Sequence, residues 1–353
     1  MSKTGQIQIG NTLVGHQKPV YIIAEAGVNH NGSLEMAFDL IREAKKCGAT
    51  CVKFQTYKTE DIITTSAPKA QYQLKVTDKE ESQFDMLKKL ELPKEAYPQL
   101  VKLCKELDIQ FMSTPYNKGD ADFLEELGVD VFKIASGQLV ELSFLEYVAK
   151  KGKPMIISSG MATLADVYEG VQAIRNAGND QIILLQCTTN YPSKLEDANI
   201  HAMSSMRDAL DVLVGYSDHV ERNFACYAAV ALGGCVIEKH FTLDRTLPGP
   251  DHAASLSPEE FSQLVQGIQD IEAALGSPVK TPTQAEVDNT QGMRRSLVIL
   301  HDLPQGTLLE ESHLGFKRPA TGIAPKMLET IIGKKLSQDV AADTILTPDL
   351  ISW

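Results

Sequence analysis

Residues 211–240, DVLVGYSDHVERNFACYAAVALGGCVIEKH, hold the pattern that decides the fold. An apolar, β-branched run at 211–217 gives way to an amphipathic stretch and then to a second such run at 235–240. The first run leads into Ser217-Asp218-His219 and the second ends in Glu238-Lys239-His240. Short, nearly continuous apolar strands separated by helix-period segments are what a parallel sheet covered on both faces requires. Working outward, the same alternation recurs and predicts eight strands, at 20–26, 51–55, 110–114, 131–135, 154–158, 182–187, 211–217 and 235–240. Between the first two, Leu34, Ala37, Phe38, Ile41 and Ala44 recur at helical spacing behind Ser33, whose hydroxyl suits a helix N-cap. The last helix opens with Ser257, Pro258 and Glu260: a cap, a proline at the first helical position and a capping-box glutamate.

Eight such units within residues 20–276 match the roughly 250 residues of a (β/α)8 TIM barrel. A doubly wound open sheet shares the periodicity and is the alternative. The distance from the second strand to the third is longer than the rest, so 59–92 is expected as an excursion over one end of the barrel, a candidate lid. Past residue 276 the composition turns polar and proline-rich, so 277–289 reads as a linker and 290–353 as a small separate module. In that module 296–300 reads as a strand, Pro304-Gln305-Gly306 as a turn, and 331–336 and 341–346 as further short segments.

The 353 residues carry 34 basic and 46 acidic side chains, a net charge of −12, which argues against a general nucleic-acid binder. Any anionic ligand must meet a local basic cluster. No run approaches the ~20 apolar residues that span a bilayer, and residues 1–15 lack a signal-peptide pattern. The six cysteines show neither metal-type spacing nor a disulfide framework, so reduced thiols in the cytoplasm are expected.

In a parallel barrel the reactive face is the C-terminal end of the strands. Polar residues collect there: Glu25, Lys53, Gln55, Thr114, Lys133, Ser136, Ser158, Thr189, Ser217, His219, Glu238 and His240. Strand alternation places Lys53 with Gln55, and Glu238 with His240, on common faces. His219 and His240 end neighbouring strands and are candidate metal ligands; hydrogen-bonded strand caps are the bland alternative. Lys53 and Lys133 occupy interior strand positions, where an ammonium needs an anionic ligand or an internal partner such as Glu25 or Glu238. Glu25 is the candidate for proton transfer, with a structural partnership to a lysine as the alternative. Asp251, after Pro248-Gly249-Pro250, suits substrate contact or a simple turn.

Seven ordered motifs then carry a resemblance: Glu25-Ala26-Gly27-Val28-Asn29-His30-Asn31-Gly32, Val52-Lys53-Phe54-Gln55-Thr56, Ser113-Thr114-Pro115, Lys133-Ile134-Ala135-Ser136-Gly137, Gly215-Tyr216-Ser217-Asp218-His219, Glu238-Lys239-His240-Phe241-Thr242 and Pro248-Gly249-Pro250-Asp251. Together they resemble the sialic acid (N-acetylneuraminate) synthase family, which includes the legionaminic and pseudaminic acid synthases. Phe316-Lys317-Arg318-Pro319 and Ile332-Gly333-Lys334 resemble that family's antifreeze-protein-like domain of β-clip type. The resemblance implies condensation of phosphoenolpyruvate with the open-chain aldehyde of N-acetylmannosamine or a related amino sugar, releasing phosphate. It implies a divalent metal, manganese or else magnesium or cobalt, on His219 and His240, and Glu25 as acid/base. Lys53, Thr114, Lys133, Ser136, Ser158, Thr189 and Ser217 would hold phosphoenolpyruvate, and Gln55, Gln138, Tyr191 and Asp251 complete the substrate-binding set. Arg318 would close the active site of the other subunit in a domain-swapped homodimer. Gln138 stands where many members carry a carboxylate, and Asn190 competes with Thr189 for the phosphate contact. Two other readings of the residues remain: a Schiff-base aldolase using a desolvated Lys53 or Lys133, and a non-catalytic carbohydrate-binding protein.

Overall fold

The computed structural model describes residues 5–70, 73–78 and 80–353. The chain divides into two compact units, Met1–Gly276 and Ser277–Trp353. The first unit opens with a two-stranded antiparallel hairpin, β1 (Gln6–Ile9) and β2 (Thr12–Gly15). Eight parallel strands follow: β3 (Tyr21–Gly27), β4 (Cys51–Thr56), β5 (Gln110–Pro115), β6 (Phe132–Ile134), β7 (Met155–Ser158), β8 (Ile182–Cys187), β9 (Leu213–Asp218) and β10 (Val236–His240). Their order is β5-β4-β3-β10-β9-β8-β7-β6, so the first barrel strand pairs with the last and every neighbour in sequence is a neighbour in space. That order leaves no switch point and rules out the doubly wound open sheet. β5 and β6 lie side by side at a seam without a ladder, making the barrel nearly closed.

Alternation along each strand sorts two cores. Ile22, Ala24, Val52, Phe54, Phe132, Ile134, Ile157 and Ile237 face outward into the helix layer. Tyr21, Ile23, Cys51, Met112, Val131, Ile156, Ile183, Leu185, Leu213 and Val236 fill the barrel interior. Nearer the C-terminal ends, the inward positions turn polar. The apolar layers are thus a floor beneath the polar residues of interest.

β8 has the expected limits, and the other seven strands depart from theirs by one or two residues. The span expected from 211 starts at Leu213 because Asp211 takes a positive φ of 50° as the C-cap of the helix His201–Leu210. The hairpin β1–β2 was not foreseen, since four-residue strands are too short to show a period. Its inward residues Ile7, Ile9 and Val14 join the interior core, so it stops the N-terminal end of the barrel. The excursion 59–92 carries the short helices Thr59–Ile62, Gln73–Val76 and Gln83–Lys89. A small cluster of Val28, Tyr57, Met86 and Leu90 fastens it to the C-terminal face.

In the second unit β11 (Ser296–Ile299) pairs with β12 (Leu314–Lys317), and β13 (Lys335–Leu336) with β14 (Ile351–Ser352), around Leu297, Ile299, Leu309, Ile331, Leu336 and Leu346. The stretch 277–289, expected as a linker, instead contributes to a helix, Gln284–Met293. Thr283 and Glu286 form a reciprocal capping box that starts it (2.7 Å from the Thr283 amide to the carboxylate), and none of its residues is buried, so no apolar stripe announced it. The expected segments 331–336 and 341–346 resolve into the helix Leu328–Ile331, the two-residue β13 and an isolated bridge at Ile345. Among the described residues, no helix is long and apolar enough to cross a membrane.

Ile9 is fully buried in the barrel floor, so Ile9→Ala is expected to lower the unfolding free energy by about 2–5 kcal/mol. Urea denaturation measures it; an unchanged midpoint would show that the hairpin does not stop the barrel.

Candidate active site

A cavity of about 460 Å³ opens at the C-terminal end of the barrel. Glu25, Lys53, Gln55, Thr114, Lys133, Ser136, Gln138, Ser158, Thr189, Tyr191, Ser217, His219, His240 and Asp251 all line it. Of Thr189 and Asn190, it is Thr189 that faces the cavity. Arg318 lies in the second unit, is exposed, and pairs with no carboxylate among the described residues.

The centre of the cavity is a buried ionic quartet. Lys53 Nζ lies 2.8 Å from Glu25 Oε2 and 3.7 Å from Glu238 Oε2, and Lys133 Nζ lies 3.6 Å from Glu238 Oε1. Ser217 Oγ donates to Glu238 Oε1 at 2.8 Å, and Lys133 Nζ donates to Ser158 Oγ at 2.7 Å. Two ammonium groups thus face two carboxylates, with Glu238 between the lysines. Burial opposes ionisation of Glu238, but the Lys133 and Lys53 charges outweigh it and hold its pKa below the ordinary carboxylate value. Burial likewise works against the Lys53 ammonium, yet Glu238 and Glu25 keep its pKa above normal. Lys133 is pulled down, first by burial and further by Lys53, against the attraction of Glu238. Glu25 is pushed up to about 7, by burial first, with Lys53 opposing and Glu238 adding like-charge repulsion. A carboxyl poised near neutrality can both give and take a proton at physiological pH.

The two imidazoles stand beside the quartet with ring centroids 5.3 Å apart. His219 Nδ1 is 2.6 Å from the Thr188 carbonyl oxygen. A carbonyl only accepts, so Nδ1 carries the hydrogen and Nε2 is the nitrogen left for a ligand; burial disfavours the charged ring, but Cys187 and the Thr188 carbonyl outweigh it and hold the His219 pKa above its ordinary value. Burial, then the nearby His219, Lys53, Lys239 and Lys133, holds the His240 pKa well below its ordinary value, and its buried Nδ1 has no hydrogen-bond partner among the described residues. Tyr191 packs on both rings, 4.0 Å from His219 and 5.5 Å from His240 between centroids.

Four features were beyond the reach of the sequence. Gln138 is buried and its amide is already engaged, accepting from the Ala135 N–H at 3.1 Å and donating to the Pro115 carbonyl at 2.9 Å. It therefore joins the ends of β5 and β6 where the ladder is missing, a double role an ionised carboxylate could not fill. Asn29 and Asn31, from the first quoted motif, face away from the cavity and brace the loop that carries Asp251. Asn29 Nδ2 donates to the Phe241 carbonyl and to Ser255 Oγ, both at 2.9 Å, Asn31 Nδ2 donates to the Pro248 carbonyl at 2.9 Å, and Ser255 Oγ donates to the Asp251 carbonyl at 2.7 Å. Asp251 itself is pushed up to about 6 by burial, with His219 opposing. The mouth is roofed by Tyr57, Ile62, Ile63, Gln73, Gln83 and Leu87 from in and around the excursion, and Tyr116 OH donates to Gln55 Oε1 at 3.1 Å. Irregular segments have no period, so their pocket-facing side could not be read. Gly160 is needed because a Cβ there would lie 2.2 Å from Thr189 Oγ1 and 2.7 Å from Ser136 Oγ, two hydroxyls of the cavity wall.

Residues 40–280 match the NeuB family model, and residues 294–352 match the SAF domain. The chain belongs to the NeuB family. This NeuB chain is 42% identical over 336 residues to the N,N'-diacetyllegionaminic acid synthase of Legionella pneumophila, covering 94% of each chain. It is 36% identical over 340 residues to the human N-acetylneuraminate-9-phosphate synthase, covering 96% of this chain and 94% of that one. Among solved structures, the N-acetylneuraminic acid synthetase of Leptospira borgpetersenii in complex with citrate superposes with a TM-score of 0.74 at 33% identity, over 82% of this chain and 95% of that one. The family expected from the motifs is the family found.

Removing one member of the quartet leaves a buried charge uncompensated. Glu238→Ala is expected to cost about 3–5 kcal/mol of folding stability, read by chemical denaturation; a loss within error of zero would mean that the lysines are solvated and the quartet is not a unit.

Proposed function

We propose a division of labour among the cavity residues for the reaction this chain performs as a sialic-acid-type synthase, the condensation of phosphoenolpyruvate with an amino sugar to give a sialic-acid-type product and phosphate. The carrying observation is that two lysines, paired with Glu25 and Glu238, and two imidazoles line one cavity. Lys53 and Lys133 turn from their internal carboxylate partners toward the phosphate and carboxylate of phosphoenolpyruvate, with hydroxyls from Thr114, Ser136, Ser158, Thr189 and Ser217 completing the cradle. Such preplaced donors stabilise charge as it shifts during reaction. Tyr191, Gln55 and Asp251 face the amino sugar, and Gln138 chiefly holds the barrel seam beneath it.

The new C–C bond forms between carbon three of phosphoenolpyruvate and the aldehyde carbon of the open-chain sugar, whose oxygen takes up a proton from Glu25, leaving it ready to accept one in the next step. Water then adds to the cationic carbon two and gives up a proton to Glu25, whose raised pKa suits that transfer. Scission of the bond from carbon two to the phosphate oxygen, with the carbon-two hydroxyl proton passing to the departing phosphate, leaves the ketone and releases phosphate. A divalent cation, manganese by the resemblance, fits His219 and His240: His219 commits Nδ1 to the Thr188 carbonyl, so its Nε2 would bind the ion on giving up any proton, and among the described residues the buried Nδ1 of His240 lacks a partner. Among the described residues no third His, Cys, Asp or Glu joins them as a ligand group, so substrate and water oxygens would fill the remaining positions. When bound, such an ion acts as a Lewis acid on the aldehyde oxygen.

The acceptor is proposed to be an N-acylated amino sugar, with the precursor of an N,N'-diacetyllegionaminic-acid-type product favoured, because identity to two N,N'-diacetyllegionaminic acid synthases, at 42% and 44%, exceeds that to the human N-acetylneuraminate-9-phosphate synthase and to two pseudaminic acid synthases, at 33–36%. A cytoplasmic setting agrees with six buried, unpaired cysteines. A homodimer in which the exposed Arg318 reaches the other copy's cavity completes the proposal; a guanidinium fork suits a carboxylate or a sugar amide.

Incubation with manganese, phosphoenolpyruvate and a panel of N-acylated hexosamines should release phosphate and yield a product whose mass is that of the sugar plus phosphoenolpyruvate and water less the phosphate released, with chelator abolishing both. His240→Ala should remove turnover without unfolding the chain. No phosphate release with any sugar, or activity retained in chelator or in His240→Ala, contradicts the assignment. Arg318→Ala should raise KM for the sugar while sedimentation still reports a dimer; a monomeric wild type with full activity contradicts the shared site.

A further inference from the structure

The two strand ends that carry the imidazoles are joined by a second buried ion pair, which takes no part in the cavity. Lys239 Nζ lies 2.6 Å from Asp218 Oδ2, and the two side chains are 1% and 0% exposed. Asp218 directly precedes His219, and Lys239 directly precedes His240. By alternation, Ser217, His219, Glu238 and His240 line the cavity whereas Asp218 and Lys239 turn outward to the helix layer. There Cys226 Sγ, from the helix Phe224–Ala231, donates to Asp218 Oδ2 at 3.1 Å.

The pair also grips the chain on the far side of His219. The Val220 N–H donates to Asp218 Oδ1 at 2.8 Å, and Lys239 Nζ donates to the Val220 carbonyl oxygen. The His219 carbonyl in turn accepts from the Ser193 N–H at 2.8 Å. Residues 218 and 220, flanking the imidazole, are therefore both held by one ion pair. The ladder between β9 and β10 ends at the register pair Lys239↔Asp218. Beyond that point no strand pairing fixes His219 relative to His240, and the ion pair is the last tie before the two rings.

Burial alone does not call for ions here, because a buried pair replaced by apolar groups of similar volume often leaves a protein as stable or more so. Ions do supply a directional link between two strand ends. We propose that Asp218 and Lys239 are positioning residues that set the separation of the His219 and His240 rings for a divalent cation. The inference rests on the reading of these imidazoles as the metal ligands. Removing outer groups that orient metal-binding side chains typically weakens affinity by roughly 10–100-fold.

The test uses the full chain, stripped with chelator and dialysed, in wild type, Asp218→Asn and the charge-free double variant Asp218→Asn/Lys239→Met. Manganese alone is titrated in, with the free ion followed by electron paramagnetic resonance; phosphoenolpyruvate binding in chelator is measured separately by calorimetry. The expected result is a manganese affinity lowered roughly 10–100-fold in the double variant, with Asp218→Asn weakened in the same direction and phosphoenolpyruvate affinity unchanged in both. Unchanged manganese affinity, or equal losses for both ligands, overturns the inference while leaving the metal reading in place. A wild type that binds no manganese overturns both. Loss of the folded state in both variants would assign the pair to barrel stability and overturns the positioning role.

Discussion

Everything at the C-terminal end of this barrel depends on keeping two ammonium groups out of water. Lys53 and Lys133 are 4% and 2% exposed, a situation that holds only when each charge is met by an opposite one. Glu238 meets both and Glu25 meets one, so two cations remain poised toward the cavity. The apolar floor of Tyr21, Ile23, Met112, Val131, Leu213 and Val236 is what makes this arrangement electrostatically strong. A low-dielectric base beneath the quartet magnifies each interaction above it, and an anionic ligand competes with resident carboxylates rather than with bulk water.

The same quartet explains why one carboxyl differs from the other. Glu238 sits between two lysines and stays ionised, whereas Glu25 has one close lysine, a like-charged neighbour and full burial, and is pushed up to about 7. Two identical groups are thus separated into a fixed counter-charge and a proton carrier by position alone. The imidazoles are treated similarly. His219 is oriented by the Thr188 carbonyl, and His240 is held neutral by burial among positive neighbours.

Much of this was legible because strand alternation is a strict rule. Once 51–55 and 235–240 read as strands, Lys53 with Gln55 and Glu238 with His240 had to share a face, and the strand ends named the cavity wall almost residue by residue. What sequence could not give was distance across the barrel. That Glu238 on β10 reaches Lys53 on β4 and Lys133 on β6 depends on barrel closure, which no local pattern encodes. Gln138 looked like a sugar contact, yet its amide is engaged at the β5–β6 seam, because a three-residue β6 leaves ends that something must join. The hairpin β1–β2 and the helix Gln284–Met293 escaped for opposite reasons: one is too short to show a period, the other has no buried face to show one. The roof over the cavity was located by its length but not resolved by residue, since irregular chain carries no face rule.

The central claim is that the lysines exchange their internal carboxylates for the two ends of phosphoenolpyruvate while the imidazoles hold a cation in the same cavity. A crystal structure determined with manganese and phosphoenolpyruvate tests it most directly. The account predicts phosphate and carboxylate oxygens within hydrogen-bond reach of Lys53 Nζ and Lys133 Nζ, and the metal on a ring nitrogen of both His219 and His240. Phosphoenolpyruvate bound elsewhere, with Lys53 still closed on Glu25, Lys133 still facing Glu238 and the two rings unmetallated, would contradict it.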